Sequence, residues 1–191
     1  MAKNKMIHVS FDVVEKFVPR IPIKDARLPG EDDETPRICV APSILCCLKG
    51  MPSADTIIDN LLKAKLPVII HAYYLSSDSI MSNAEILRKV PDAYLTHESW
   101  ILKEPDKVRR IDYQLTDPCE VQRTLAWCEH LKYGTCGLKR IPYTDNFDVL
   151  YKAAGIDPNT DGAKRIRQKY QFARIAKDML PQILSLKRSR D

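Results

Sequence analysis

Short apolar runs alternate with turn-forming residues along the first part of the chain, a pattern typical of a domain that mixes strands and helices. From Met6 to Phe11 apolar and polar side chains alternate, which is the period of a half-buried strand. Residues 37–42 predict a second strand, and the largely apolar residues 66–75 predict a central one. Residues 94–102 alternate again, and residues 108–115 are expected to pair with them as an antiparallel hairpin. The pattern therefore predicts an α+β fold with a mixed, mainly antiparallel sheet flanked by helices.

Helical segments are predicted between and after these strands. Ser43 is placed to cap a short helix that ends at Gly50, because a serine oxygen accepts the free N–H groups of a first turn. Apolar residues at helical spacing predict further helices over residues 54–64, 82–90, 121–133, 147–154 and 163–180. Pro181 is expected to end or kink the last helix.

The charge distribution divides the chain into two parts. We predict a domain over residues 1–118 and a helical C-terminal extension over residues 119–191, which is basic from residue 155 onward. From that residue nine lysines and arginines face four aspartates, which accounts for the whole net charge of +5. The basic residues that we assign to nucleic acid or an acidic partner are Lys164, Arg165, Arg167 and Lys169. The other interpretation is that they form the solvated face of a docked helix.

Composition argues against a membrane or secreted protein. No apolar run approaches the roughly 20 residues of a membrane-spanning helix, and the N-terminal segment lacks the apolar core of a signal peptide. The six cysteines form no C-x-x-C pair, so neither a disulfide framework nor a redox dithiol is indicated. We therefore expect a cytoplasmic protein with no membrane partner.

Several common active-site motifs are missing from the sequence. It has no Walker A loop, no G-x-G-x-x-G and no G-x-S-x-G, and its His97-Glu98 pair lacks the second histidine of a zincin. The spacing of Cys119, Cys128, His130 and Cys136 is not a recognised zinc pattern, so we predict no metal site.

Glu98 is the strongest candidate for chemistry. On the predicted strand it shares a face with Thr96 and Trp100, where an unpaired carboxylate would be costly in an apolar core. The alternative is that this face is solvated and Glu98 is an ordinary surface acid. His8 and Ser10 project from one face of the first strand and are placed to hydrogen-bond a ligand, although a strand histidine is more often exposed or internally bonded.

These residues carry a resemblance to a known family. The first strand with His8 and Ser10, the strand-to-helix junction at residues 40–43, and the segment around Glu98 resemble the ADP-ribosyltransferase-like superfamily of toxin and poly-ADP-ribose polymerase type, over about residues 6–116. The resemblance implies that His8 contacts the nicotinamide side of NAD, that Ser43 with Ser10 supports the ring, and that Glu98 engages the ribose. Thr96 and Trp100, beside Glu98, are assigned to the same NAD-binding site.

NAD is then expected as a substrate, and His8 and Glu98 as catalytic residues. The implied activity is ADP-ribosyl transfer to an unknown acceptor or NAD glycohydrolysis, through attack on C1′ of the nicotinamide ribose. A carboxylate would hold the 2′-hydroxyl and stabilise the positive charge of the transition state. Two alternatives stay open: an inactive binding or inhibitory module on the same fold, and a nucleic-acid-associated protein that uses the basic C-terminal helix. For the NAD hypothesis His8, Ser43 and Glu98 must converge on one cleft.

Overall fold

Two antiparallel sheets form the framework of the chain. A computed structural model describes residues 6–117 and 137–185. In these ranges the strands are β1 (Met6–Ser10), β2 (Ile38–Val40), β3 (Ile69–Ser76), β4 (Ile80–Met81), β5 (Ser99–Ile101), β6 (Lys107–Leu115) and β7 (Leu138–Ile141). Every pairing between them is antiparallel, which confirms the α+β class.

The helices are short and lie mostly in the connections and the C-terminal part. They are α1 (Ile44–Gly50), α2 (Ala54–Lys63), α3 (Asn83–Ile86), α4 (Ala93–Thr96), α5 (Asn146–Ala154), α6 (Asp161–Lys169), α7 (Phe172–Arg174) and α8 (Leu180–Ser185). A 3₁₀ turn spans Lys24–Ala26, and a π-helical segment, Ile175–Met179, joins α7 to α8. In the described ranges no helix has both the length and the apolar character needed to cross a membrane.

One pair of residues joins the two sheets. The larger sheet has the order β1-β3-β6-β7 and the smaller has the order β2-β5-β4. Ile7 on β1 and Ala41, directly after β2, exchange backbone hydrogen bonds of 2.9 and 2.8 Å. The strands therefore follow one another as β4-β5-β2-β1-β3-β6-β7. This order places β1, β2 and the segment that leads into β5 side by side.

The main hydrophobic core lies between one face of the larger sheet and the helices. Ile7, Val9 and Phe11 contribute from the first strand and its end, as their alternation predicts. The C-terminal helices contribute to the same core through Ala163, Phe172, Ile175, Ala176, Leu180 and Ile183. They are therefore packed into the domain. The predicted boundary between residues 118 and 119 falls outside the described residues and stays a prediction, as does the helix over 121–133.

Two predicted elements are wrong. Residues 94–102 do not form one strand, because Ala93–Thr96 is a helical turn and only Ser99–Ile101 is extended. The side-chain amide of Asn83 donates to the carbonyls of Ala93 and Glu98 at 2.8 and 2.9 Å, which holds this segment folded back on itself. The hairpin between residues 94–102 and 108–115 is also wrong, since β5 pairs with β2 and β4, whereas β6 pairs with β3 and β7.

The predicted helix over residues 163–180 is interrupted. Tyr170 and Gln171 have extended backbones, so α6 ends at Lys169 and a new helix begins at Phe172. Pro181 does not end that helix, which continues to Ser185. Proline is tolerated in the first turn of an α-helix, and Pro181 occupies the first turn that follows the π-helical segment.

Candidate functional site

A large cleft opens beside the smaller sheet. It has a volume of about 830 Å³ and is bounded by residues 22–31, by Cys39, by the junction between α1 and α2, and by residues 90–98. Its lining includes six acidic side chains, Asp25, Glu31, Asp55, Asp59, Asp92 and Glu98, against the two basic side chains of Arg27 and Lys49. The cleft is large enough for a small-molecule ligand and is predominantly acidic.

A second, smaller pocket adjoins this cleft. It has a volume of about 120 Å³ and shares with the cleft the residues Cys39, Gly50, Met51, Thr96 and Glu98. Its other walls come from the region where β1 and β2 meet, and they include His8. The pocket thus brings together His8, Thr96 and Glu98, three of the residues that the sequence singled out.

Glu98 lies at the boundary between pocket and cleft. It directly precedes β5, and the left-handed backbone of His97, with φ of 52°, turns the chain immediately before it. The indole Nε1 of Trp100 donates to Glu98 Oε1 at 2.7 Å. Burial raises the pKa of Glu98 above its usual value, and the neighbouring Cys39 thiol and Trp100 indole offset part of the rise. A half-buried carboxylate with a raised pKa is typical of a functional site.

Cys39 connects the two sides of the pocket. Its backbone carbonyl lies 2.9 Å from His8 Nδ1, and its thiol neighbours Glu98. Burial raises the pKa of this thiol well above its usual value, and the neighbouring carboxylate raises it further. The thiol is therefore protonated, which makes it a poor nucleophile.

His8 is held in one neutral form. A carbonyl oxygen only accepts hydrogen bonds, so the contact with Cys39 places the proton on Nδ1 and leaves Nε2 as an acceptor. Burial lowers the pKa of His8, which favours the uncharged ring. The ring packs edge-on against Phe17 with 5.2 Å between centroids and lies 6.4 Å from Tyr73. These contacts fix its orientation.

Arg37 supports the site from behind, and sequence reasoning missed it as it missed Cys39. Its side chain is fully buried, with the guanidinium 4.2 Å above the ring of Trp100. It donates to Glu31 at 2.5 Å and to the backbone carbonyls of Asp32 and Thr35 at 3.0 and 3.1 Å. Arg37 thereby holds one wall of the cleft against the indole that contacts Glu98. The sequence offered only a weak signal, an arginine at the start of an apolar strand.

Three predicted site residues do not line either pocket. The Ser43 hydroxyl accepts from the backbone N–H of Cys46 at 3.1 Å, so it caps α1 as predicted. The Ser10 hydroxyl accepts from the N–H of Asp12 at 3.0 Å. Trp100 is completely buried and acts on the site through its bond to Glu98. Of the three residues expected to converge on one cleft, His8 and Glu98 line the same pocket, and Ser43 is not part of its lining.

The four basic residues assigned to nucleic acid all lie on α6, and all are exposed. Arg167 bonds to Asp145 and Asp148 at 2.6 and 3.1 Å, and the ammonium of Lys169 lies 5.3 Å from the ring of Tyr170. Ala163 is the buried residue of this helix, so its basic face points outward. Lys164 and Arg165 are the members of the set best placed to meet a partner, and the binding of nucleic acid or an acidic protein stays a prediction.

A second buried polar cluster lies away from both pockets. Asp112 and His71 are fully buried, with 3.0 Å between Asp112 Oδ1 and His71 Nδ1. Arg110 donates to both carboxylate oxygens of Asp112 at 2.7 and 2.6 Å, and the N–H of Thr144 donates at 3.0 Å. The side-chain amide of Asn146 donates to the carbonyls of Phe11 and Ile69. Because its groups are paired with one another, this cluster stabilises the junction of β1, β3, β6 and α5.

Comparison with known proteins gives no relative. No protein-family description matches the chain, and no curated protein or solved structure is significantly similar to it. In residues 6–117 and 137–185, no group of three or more His, Cys, Asp or Glu side chains is arranged to hold a metal ion. Cys119, Cys128, His130 and Cys136 lie outside those ranges.

Proposed function

We propose that the chain binds NAD at the junction of the small pocket and the cleft, and transfers its ADP-ribosyl group or hydrolyses it. One observation carries the proposal: His8 and Glu98 lie 90 residues apart in sequence and yet line one pocket. The bridge between β1 and β2 and the pairing of β2 with β5 bring them there. An ADP-ribosyltransferase-like site requires this neighbourhood of β1, β2 and the segment that carries Glu98.

Glu98 has the features of the carboxylate that engages the ribose. Its Oε1 accepts from the indole of Trp100, so the group is held in place before a ligand arrives. When ionised it would accept from the 2′-hydroxyl and stabilise the oxocarbenium-like transition state as the bond from C1′ to nicotinamide breaks. Because its pKa is raised, activity is expected to fall as the pH drops through that pKa, when the carboxyl is protonated.

His8 would provide an acceptor to the same ligand. Its Nε2 carries a lone pair because Nδ1–H is bound to the carbonyl of Cys39, and the neutral ring suits a hydroxyl donor on the nicotinamide ribose. Arg27 and Lys49 line the wall of the larger cleft, and their positive charges would favour the pyrophosphate there. The acidic remainder of the lining matches the positive charge of the nicotinamide ring and of the transition state.

Nicotinamide release and thermal shift with NAD test this proposal together. We expect NAD to raise the melting temperature of the chain and nicotinamide to accumulate with time. Glu98→Gln is the decisive variant, because the amide oxygen of glutamine still accepts from Trp100 while the negative charge is lost. Its rate should fall by roughly 10²–10³, the usual effect of removing one group that stabilises transition-state charge.

Glu104→Gln is the matched control, because it makes the same chemical change at a residue whose side chain is 59% exposed and lies outside both pockets. It should retain full activity. A thermal shift without nicotinamide release would favour the inactive binding module on the same fold. The absence of any shift at millimolar NAD would refute the proposal.

A further inference from the structure

Exposed apolar side chains stand along one wall of the large cleft. The wall is the segment 21–28, of which Pro22, Arg27 and Leu28 line the cavity, whereas Ile21 and Ile23 lie on the same segment outside its lining. Ile23 is 73% exposed, and Ile21 and Leu28 are 42% and 43% exposed. Large apolar residues so close together on a surface segment are typical of an interaction surface, because their hydration is unfavourable until a partner covers them.

The cleft behind this wall has a strong and uneven charge. Six acidic side chains line it against two basic ones. Of these, Glu31 is paired with Arg37 and Asp59 with Lys63, and the base Arg27 lies 3.5 Å from Asp33. Asp25, Asp55 and Asp92 are the lining acids that remain to meet a cation. Asp25 and Asp55 are both exposed to solvent. The lining therefore attracts a cation, and apolar contacts are available immediately beside it.

We propose that the mouth of this cleft docks a polypeptide segment in which lysine or arginine side chains are interspersed with large apolar ones. The basic side chains would meet Asp25, Asp55 and Asp92, and the apolar ones would cover Ile23 and Leu28. Charge complementarity selects this occupant. A nucleic acid or an anionic lipid surface brings no positive charge to Asp25, Asp55 and Asp92, and a small cation would leave the apolar wall uncovered.

This surface is independent of the chemistry proposed for Glu98. It needs only the outer acids and the apolar wall, so docking is expected whether or not the chain hydrolyses NAD. If the chain binds the peptide but does not act on NAD, the docking site is supported and the proposed function fails. If the chain hydrolyses NAD but does not bind the peptide, the proposed function is supported and the docking site fails.

Fluorescence anisotropy on the full chain tests the docking, with a short labelled peptide of lysines interspersed with leucines. We expect saturable binding that weakens as salt is added, because rim charges are screened. Asp25→Asn combined with Asp55→Asn should weaken binding roughly three- to tenfold, as expected for the loss of two exposed charge contacts. Asp161→Asn combined with Asp178→Asn is the matched control, because it makes the same charge change at exposed positions outside the cleft and should leave binding unaltered.

A second pair of probes tests the apolar contribution. Ile23→Ser should weaken binding of the leucine-containing peptide, and a peptide with serine in place of leucine should bind weakly to every variant. The proposal is overturned if the serine peptide binds as well as the leucine peptide, if the two double variants behave alike, or if no saturable binding occurs at low salt. Concentration-dependent self-association of the chain that Ile23→Ser abolishes would also overturn it, by assigning the wall to a second copy.

Discussion

Loss of the Arg37 guanidinium should destabilise the fold, because the side chain is fully buried and bonded to three groups. Replacement by methionine keeps much of the side-chain volume and deletes the guanidinium. Among the described residues, Glu31 then keeps, at 10% exposure, the N–H of Leu28 as its hydrogen-bond donor, and the carbonyls of Asp32 and Thr35 lose the guanidinium. Asp32 keeps Lys89 at 2.7 Å and the N–H of Thr35 at 2.8 Å, which limits the damage.

The magnitude follows from these remaining contacts. Removing one member of a buried ion pair costs about 3–5 kcal/mol, and because Asp32 retains its partners we expect the lower end, ~3 kcal/mol. For a chain of this size that corresponds to a fall in melting temperature of roughly 6–12 °C. Arg88→Met is the control, since Arg88 is exposed and its replacement should change stability by less than about 0.5 kcal/mol.

Urea denaturation of both variants measures the effect, and a double-mutant cycle with Glu31→Gln apportions it. The Arg37–Glu31 distance of 2.5 Å predicts a coupling free energy of at least about 1 kcal/mol. If Arg37→Met loses less than about 1 kcal/mol, or if the two substitutions are additive, Arg37 is not the anchor of the cleft wall and this reasoning fails.

Two further predictions concern pH and the α1 cap. Burial lowers the pKa of both His8 and His71, so the unfolded chain binds more protons than the native one below about pH 6.5. The free energy of unfolding should therefore fall as the pH is lowered from 7.5 to 6, by at most about 1.4 kcal/mol per pH unit for each histidine. Urea denaturation across that range checks it, and a flat profile would contradict the prediction. Ser43→Ala removes the hydroxyl that accepts from Cys46 N–H and should cost ~1 kcal/mol of stability. Because Ser43 lines neither pocket, its loss should leave NAD-dependent activity unchanged, and a large fall in rate at unaltered folding would assign it a direct role.

Local patterns in the sequence were sufficient to predict the elements that depend on interactions between residues close together in the chain. The alternation of residues 6–11 predicted β1 and its core face, and the serine before residues 44–50 predicted the cap of α1. Residues 94–102 misled because their alternation has the period of a strand, whereas the fold of this segment depends on Asn83, more than ten residues earlier, which binds the carbonyls of Ala93 and Glu98. A contact between residues so far apart in sequence produces no periodic pattern of apolar and polar positions.

The candidate site was predictable only in part for a similar reason. Glu98 could be selected because an unpaired carboxylate is costly in an apolar core, and the structure supplies a partner, the indole of Trp100. Cys39 itself looks like an ordinary strand residue. The acidic cleft was missed because its carboxylates come from segments between residues 25 and 98, and each segment alone resembles a solvated loop or helix face. Only in the folded chain do α2, α4 and the loop that precedes β2 border one cleft.

The left-handed turn at His97 sets a rule for recognising relatives of this chain. A β-branched residue is strained at a φ of 52°, whereas Gly, Asn, Asp and His tolerate it. Sequences that keep the same turn should therefore carry one of these four residues immediately before the glutamate, and a tryptophan two positions after it to hold the carboxylate. A search profile weighted on this short pattern, together with a histidine on the first strand, would separate chains that share the pocket from those that share only the general arrangement of strands.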